Sequence, residues 1–405
     1  MSRLLSTLKR DQAIVSVITF LIGSVAASIW PTIAGVVGLV VLVILVINRL
    51  LQLRRAEPLS AFELALRQPD RDALFRLSLE NANFLVFDKV IEVLPHQSLS
   101  TLSGLSNLGW DPCKIGVYFS GEFFDATDAL EFAGGKRPFN PPNGRKFSLV
   151  DRSISGTDDL PTLHLKETDF FTLESIKPAI MKDPEVRAKL GSLDPARNHI
   201  PHSLCLHFLI RFSDGNVLCL YNDKRKAYGG GTWSVSAEEQ LKDLDLQSLA
   251  PIETLFRRAV LEEVFGLSND QTPVDQRWAQ VSDTVSSLRI WSLFLEEHIN
   301  NFSLLGVCQL SIVPDVFVQK YNQFVSQGSV ARDLEGSLHI VEKNQLQRIL
   351  IVGWGTAREL FGTREPMIRA EKLHWTSRYR IFRLLRALEG RALQPPSQSQ
   401  VGWVK

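Results

Sequence analysis

A long uncharged stretch near the amino terminus restricts the fold more than any other feature of this chain. No residue from Ala13 to Ile47 carries a charge, and Pro31 interrupts the stretch. As one helix it would be roughly 52 Å long, whereas the hydrocarbon core of a bilayer is about 30 Å thick. Because proline breaks a helix, the pattern predicts two arms, residues 13–30 and 32–48, within a transmembrane helical hairpin over residues 1–50.

Basic residues flank both arms of this predicted hairpin. Lys9 and Arg10 precede the first arm, and Arg49 and Arg54 follow the second. Lysine and arginine are enriched on the cytoplasmic side of membrane spans, so both termini are predicted to be cytoplasmic in a multi-pass protein. A cleaved signal peptide is the alternative. It is disfavoured because a second apolar arm follows the first at once.

Small residues recur at helix-packing spacing within the arms. Gly23 and Ala27 lie about one turn apart, and Gly35 and Gly38 are similarly close in the second arm. Such residues let transmembrane helices approach closely. They serve either packing within one hairpin or packing between protomers, and the second reading predicts a homo-oligomer in contact with the lipid bilayer.

Composition limits the remaining classes of function. The net charge of the 405-residue chain is +1, which gives no global electrostatic case for binding nucleic acid. The length suits two or three domains. No pair of cysteines has the spacing of a zinc site or a redox motif, so reduced thiols are expected in a cytosol-facing domain. The cysteines are Cys113, Cys205, Cys219 and Cys308.

The soluble part is predicted to contain a linker with an α+β accessory region over residues 51–200. A second domain follows over residues 201–390, and residues 391–405 form a flexible tail. A loop rich in glycine and proline lies at Gly134–Lys146, and its basic residues fit either a phosphate site or an ordinary solvated loop.

The second domain has the pattern of an α/β fold. An Asp214-Gly215 turn separates two apolar strand-like runs, and Pro251 opens a helix that ends before Gly266. Strands flanking a glycine loop and a helix predict an α/β/α sandwich. The predicted elements are strands at Ser203–Phe212, Val217–Tyr221, Ile290–Leu295 and Leu304–Ile312, and an amphipathic helix at Ser377–Leu388.

The helix that Pro251 opens carries the residues with the clearest chemistry. Arg258 and Glu262 lie four positions apart on one face and can form an ion pair. Glu262 and Glu263 are adjacent carboxylates near the end of the helix, and such oxygen ligands favour a divalent metal, usually Mg²⁺. A metal held there would polarise a bound diphosphate.

This helix resembles the signature of Nudix domains, Gly-x5-Glu-x7-Arg-Glu-U-x-Glu-Glu-x-Gly-U, where U is aliphatic. Arg258, Val260, Glu262 and Glu263 match the pattern, whereas Ala259 stands where the family has a metal-binding glutamate.

Two further departures from the Nudix pattern lie on either side of the helix. Phe265 occupies the glycine position, with Gly266 one residue late, and the preceding loop lacks Pro-Gly-Gly. Glu238 or Glu239 is available to replace the upstream glutamate. The resemblance therefore implies a Mg²⁺ site at Glu239, Glu262 and Glu263, where Glu262 and Glu263 would be catalytic if the domain hydrolyses its ligand.

The whole arrangement of hairpin, accessory region and divergent Nudix domain resembles the membrane-anchored effectors of bacterial cyclic-oligonucleotide antiphage signalling (CBASS). The resemblance implies a cyclic oligonucleotide messenger made by a partner nucleotidyltransferase. It further implies that the hairpins then disrupt the bacterial inner membrane and cause abortive infection. The alternatives are a membrane-tethered Mg²⁺-dependent hydrolase of nucleoside diphosphate derivatives and an anchored scaffold without a ligand.

Residues that fit such a ligand follow the predicted return strand. Lys224, Arg225 and Lys226 suit phosphates, Trp233 suits stacking on a base, and Arg258 is a further ligand-binding residue. The structural alternatives are a solvated turn for the basic triplet and a core position for Trp233.

A group of histidine and cysteine residues has metal-like spacing at the entrance to the first predicted strand. The group comprises His199, His202, Cys205 and His207. Because the last two lie on the strand and the first two on its approach, convergence on zinc requires a bend, and no zinc site is predicted.

Overall fold

The structure is a computed structural model that describes most of the chain after residue 84. Every described residue belongs to one compact unit, Leu64–Lys405. The described ranges are 85–87, 89–95, 108–134, 144–155, 160–222, 224, 230–268, 272–327 and 336–388.

The predicted fold class and location need a correction at the membrane segment. No helix in these ranges is long and apolar enough to cross a bilayer. Both predicted arms, residues 13–30 and 32–48, lie outside the described residues. The described part is instead an α/β fold with mixed sheets. The predicted multi-pass location is corrected by this finding for the described residues, which contain no such helix.

Strands and helices alternate along the described residues. The strands are β1 (Leu85–Phe87), β2 (Val90–Pro95), β3 (Gly116–Phe123), β4 (Arg145–Ser155), β5 (Leu160–Asp169), β6 (Cys205–Arg211), β7 (Val217–Asn222), β8 (Trp233–Val235), β9 (Ala237–Gln240), β10 (Val285–Glu296), β11 (Asn301–Leu310), β12 (Gly336–Val341), β13 (Trp354–Thr356), β14 (Arg358–Glu359) and β15 (Met367–Arg369). The α-helices are α1 (Thr127–Phe132), α2 (Phe170–Lys182), α3 (Pro184–Leu190), α4 (Asp243–Leu246), α5 (Pro251–Glu263), α6 (Val274–Trp278), α7 (Pro314–Ser326), α8 (Lys343–Val352) and α9 (Ser377–Leu388).

The main sheet is mixed and has the strand order β1-β2-β10-β11-β6-β7-β12-β14. Strand β11 runs parallel to β6, whereas β10 pairs antiparallel with both β2 and β11. The hairpin strands β6 and β7 pair directly only at Arg211 and Val217. Beyond that point they diverge, because β9 adds to β6 and β8 adds to β7.

Ser236 holds the two diverging strands at the point where β8 meets β9. Its buried Oγ accepts a hydrogen bond from the Ile210 amide at 2.9 Å and donates to the Leu218 carbonyl oxygen at 2.7 Å. A buried backbone amide without a partner is costly, so this hydroxyl fixes the split between β6 and β7. The split places β9, with its glutamates, beside β6.

A second sheet, in the order β3-β5-β4, packs on the same apolar core as the main sheet. Its strand β4 is joined to the approach to β6 by polar contacts of His202. Ser148 Oγ donates to the His202 carbonyl oxygen at 2.7 Å, and the Leu149 amide donates to His202 Nε2 at 3.0 Å. Helix α2 follows β5 directly, and Asp169 caps its first turn by accepting from the Thr172 amide.

Helix α5 begins at Pro251 as predicted and ends at Glu263, before Gly266, whose φ is 65°. Proline suits the first turn of a helix, and a positive φ suits glycine. The apolar face buries Leu255, Phe256 and Val260 in the core. Phe256 packs on Gly306 of β11, where a Cβ atom would lie 2.8 Å from two ring carbons.

Helix α9 has the predicted bounds, Ser377–Leu388, and buries charged as well as apolar side chains. Tyr379 donates to Glu92 Oε2 of β2 at 2.7 Å, and Arg383 Nε lies 3.3 Å from the same oxygen. These contacts connect α9 with β2. Strand β2 belongs to the predicted accessory region and lies in the main sheet beside β10.

The close approach at Gly306 predicts a loss of stability for Gly306→Ala. The new methyl group must displace the Phe256 ring, which we expect to lower the free energy of unfolding by about 1–3 kcal/mol in urea titrations. Gly144→Ala is the matched control, since a Cβ there meets nothing within 4 Å. Equal stability of the two variants would contradict the packing described for α5 on β11.

Candidate functional site

A partly open cavity of about 310 Å³ lies where α2 faces β6 and β9. Helix α2 contributes one wall through Glu174 and Lys177. Strand β9 contributes Glu238 and Glu239, and the segment before α9 contributes Trp375. Ligand sites in proteins are concave and lined by a few converging polar groups, so this cavity is the candidate functional site.

His207 forms the centre of the cavity floor between two glutamates. Its Nε2 lies 3.1 Å from Glu296 Oε1, and its Nδ1 lies 3.1 Å from Glu238 Oε2. Arg380 Nη2 also lies 2.9 Å from Nδ1. The floor therefore fixes the position of this histidine.

Glu296 is the more buried of the two floor glutamates, with 2% of its side chain exposed. Both of its carboxylate oxygens accept hydrogen bonds from other side chains. Oε1 accepts from Ser303 Oγ at 2.9 Å and from Asn301 Nδ2 at 3.2 Å, in addition to His207. Oε2 accepts from the indole Nε1 of Trp375 at 2.5 Å. Burial acts to raise the pKa of Glu296, but His207 and Trp375 outweigh burial and hold it well below its usual range.

Arg380 connects helix α9 to this floor and is fully buried. Its Nη1 donates to the carbonyl oxygens of Val235 at 3.0 Å and Ala237 at 3.3 Å, on either side of the β8–β9 junction. Its Nη2 lies 3.6 Å from Glu238 Oε2. A buried guanidinium is stable only when hydrogen-bond acceptors surround it. Two of the acceptors of Arg380 belong to Ala237 and Glu238, so Arg380 holds β9 in place.

Glu238 is the floor carboxylate that is most open to the cavity, with 24% of its side chain exposed, against 2% for His207. Burial acts to raise its pKa, but His374, His207 and Arg380 outweigh burial and lower the pKa to about 2. Its Oε1 lies 3.8 Å from His374 Nε2, beyond hydrogen-bonding distance.

His374 and Trp375 form an aromatic wall beside the floor. Their ring centroids lie 3.8 Å apart. Trp375 is held by its bond to Glu296, and His374 Nδ1 lies 3.0 Å from Thr376 Oγ1. Burial lowers the pKa of His374 to about 4, against the opposing effect of Glu238, so the imidazole is neutral at pH 7.

Lys146 and Lys177 bring positive charge to the same cavity. Lys146 Nζ donates to Gln240 Oε1, and burial lowers the pKa of both lysines. Ser203 also lines the cavity. Its buried Oγ has no hydrogen-bond partner among the described residues, and a buried hydroxyl in that state is a site for a ligand or a water molecule.

The predicted Nudix helix brings its charged residues together around Arg258, which is fully buried. Asp245 of α4 accepts from Arg258 Nε at 3.0 Å and from Nη2 at 2.8 Å. Arg258 Nη1 lies 3.1 Å from Glu262 Oε2 and 3.2 Å from Glu239 Oε1. The arginine is therefore an internal ion-pair partner of three carboxylates.

Ion pairs occupy part of the predicted Mg²⁺ site. Glu262 Oε2 is shared by Arg258 and Lys242, whereas Glu262 Oε1 has no hydrogen-bond partner among the described residues. Ala259 is buried in the core, and two of the three predicted ligands, Glu239 and Glu263, line the cavity. No group of three His, Cys, Asp or Glu side chains in the described ranges is placed to hold a metal. The metal site at Glu239, Glu262 and Glu263 stays a prediction, and no hydrolytic step is derived from it.

Two of the remaining predicted ligand residues, Lys224 and Trp233, do not line the cavity. Lys224 is an exposed turn residue, and Arg225 and Lys226 lie outside the described residues. Trp233 is buried and packs on Tyr221 and His339, with ring centroids 5.0 and 4.7 Å away. The indole of Trp233 is thus a core side chain in this structure.

Several cavity residues had only weak signals in the sequence. His207 belonged to the histidine and cysteine group, and Lys146 to the basic loop, of which residues 135–143 lie outside the described residues. Glu296 ends an apolar strand, and a charged residue at such a position is a sign of a functional site. Lys177 had no signal, because only tertiary packing brings α2 over the sheet.

Comparisons with known proteins identify no family for this chain. No protein-family model matches it, and no curated protein sequence matches it. The resemblance to Nudix domains and to antiphage effectors therefore stays a prediction.

The Arg258 cluster predicts unequal effects for two neighbouring aspartates of α4. Asp245→Ala removes the bidentate partner of a buried arginine, and we expect it to lower the free energy of unfolding by about 3 kcal/mol or more. Asp243→Ala removes only an exposed ion pair with Arg145. We expect it to cost less than about 1 kcal/mol in the same chemical denaturation experiment. Equal costs would show that Arg258 does not organise this region.

Proposed function

We propose that the described unit binds a small nucleotide in the cavity and acts as a ligand sensor. The observation that carries the proposal is the combination of Lys146 and Lys177 with an aromatic wall and a carboxylate floor in one cavity. Lysines suit phosphate oxygens, and an aromatic ring suits the face of a base. The unpartnered Ser203 hydroxyl adds a hydrogen-bonding group of the kind a ligand would satisfy.

The size of the cavity limits the ligand. At about 310 Å³ it is near the lower end of the range for small-molecule pockets. It suits one nucleotide rather than a whole cyclic oligonucleotide. A cyclic di- or trinucleotide, the messenger class that the sequence resemblance implies, would insert a single nucleotide and leave the rest of the ring outside. A partner nucleotidyltransferase would supply such a ligand.

The protonation states of the cavity support binding rather than acid–base chemistry. A general acid or base works best with a pKa near the operating pH. Glu238, with a pKa of about 2, and His374, with a pKa of about 4, each stay in one form at pH 7. The floor therefore presents a fixed pattern of charge and hydrogen-bonding groups, which suits recognition.

A signal from the ligand has a direct route out of the cavity. Glu238 contacts Arg380 of α9, and the same helix contacts Glu92 of β2 through Tyr379. A ligand that contacts Glu238 would therefore also act on α9. The same helix contacts β2, which lies next to the edge strand β1 of the main sheet.

Binding is tested by titration calorimetry of the full chain with adenosine monophosphate and cyclic diadenosine monophosphate. We expect Lys177→Met to weaken the affinity by about 10- to 100-fold, because a charge-assisted hydrogen bond contributes about 1.5–3 kcal/mol. Lys182→Met is the matched control on the same helix, since Lys182 is exposed and does not line the cavity.

Two results would contradict the proposed function. The first is a wild-type chain that binds neither compound at concentrations up to about 1 mM, where ΔG of binding is roughly −4 kcal/mol. The second is an equal loss of affinity in both lysine variants. Thermal unfolding of each variant without ligand controls for loss of the folded state.

A further inference from the structure

Among the described residues, one oxygen of the cavity floor has no hydrogen-bond donor. Glu238 Oε2 lies close to His207 Nδ1 and Arg380 Nη2, at 3.1 and 3.6 Å. The charged or titratable nitrogen that faces Glu238 Oε1 is His374 Nε2, at 3.8 Å, beyond hydrogen-bonding distance. The carboxylate is partly open to the cavity, so Oε1 is an acceptor available to a ligand.

The donors around this oxygen are directed elsewhere. The indole N–H of Trp375 is bonded to Glu296, and the hydroxyl of Ser303 is bonded to the same carboxylate. Arg380 directs its Nη1 to backbone carbonyl oxygens. A carboxylate oxygen that is open to the cavity accepts a hydrogen bond from a ligand, so the floor is complementary to a ligand that brings an N–H group.

We infer that Glu238 recognises the exocyclic amino group of a nucleobase, with the base placed against the Trp375 ring. This assignment rests on the proposed function and names the ligand class more narrowly. Adenine and cytosine carry an amino group on the pairing edge. Hypoxanthine and uracil have a carbonyl oxygen at the same position.

The chemistry of the two edges gives opposite interactions with Glu238. An amino group donates to Oε1, as glutamate and aspartate do when they accept from cytosine in nucleic-acid complexes. A carbonyl oxygen would place its lone pairs against the ionised carboxylate and leave both acceptors unsatisfied. A site built around a buried polar group rejects an analogue that lacks the matching partner far more strongly than an apolar pocket does.

The position of the base follows from the rigid wall beside Glu238. Trp375 is fixed by Glu296, and His374 packs against its ring. Lys177 lines the same cavity. A base at Glu238 and a phosphate at the lysines therefore fit within one cavity.

The test compares ligands that differ only in this group. Titration calorimetry of the full chain uses adenosine monophosphate against inosine monophosphate, and cytidine monophosphate against uridine monophosphate. We expect the amino member of each pair to bind at least tenfold more tightly. In Glu238→Gln, whose amide both donates and accepts, we expect the ratio to fall below about threefold. Glu131→Gln, an exposed substitution on α1, is the control and keeps the wild-type ratio.

The outcomes separate this inference from the proposed function. Equal binding of both members of each pair by the wild-type chain overturns the role of Glu238 and leaves nucleotide binding in place. An unchanged ratio in Glu238→Gln also overturns it. Absence of binding for all four compounds overturns the proposed function together with the inference. The ligand comparison needs no variant, so it holds even if Glu238→Gln folds poorly.

Discussion

The site depends on one buried cation, Arg380. Its guanidinium has no access to solvent and is surrounded by the backbone of β8 and β9, His207, Thr376 and Glu238. Removing an acceptor from a buried arginine is costly, so these groups hold one another in place. The consequence reaches the proposed ligand site directly, since β9 carries Glu238 and Glu239 of the cavity. Helix α9 is thus part of the proposed binding site although it lies far from β9 in the sequence.

A second buried arginine organises the helix that resembles the Nudix signature. Arg258 holds Asp245, Glu239 and Glu262 around itself, and Ala259 contributes to the core. Two of the three carboxylates that the resemblance assigns to a metal, Glu239 and Glu262, thus pair with an arginine. The cavity next to them is lined by lysines and aromatic rings as well as carboxylates, which is the basis of the proposed ligand.

Local patterns in the sequence predicted several elements well. The amphipathic helix Ser377–Leu388 has the predicted bounds, and the helix opened by Pro251 ends two residues before the predicted Phe265. These features depend on periodicity and on proline, which act locally. The cavity could not be predicted in the same way, because Lys177, Glu238 and Trp375 lie far apart in sequence and meet only through tertiary packing. Sequence alone left Trp233 open between a stacking residue and a core residue, because its packing on Tyr221 and His339 has no local signal.

Hydrogen exchange of the full chain with saturating adenosine monophosphate tests most directly where the ligand binds. If the cavity is the site, exchange slows in α2 and in residues 374–376, and it stays unchanged in the turn that carries Lys224. Slower exchange at that turn, with α2 and residues 374–376 unaffected, would contradict the account and favour the basic segment that the sequence first indicated.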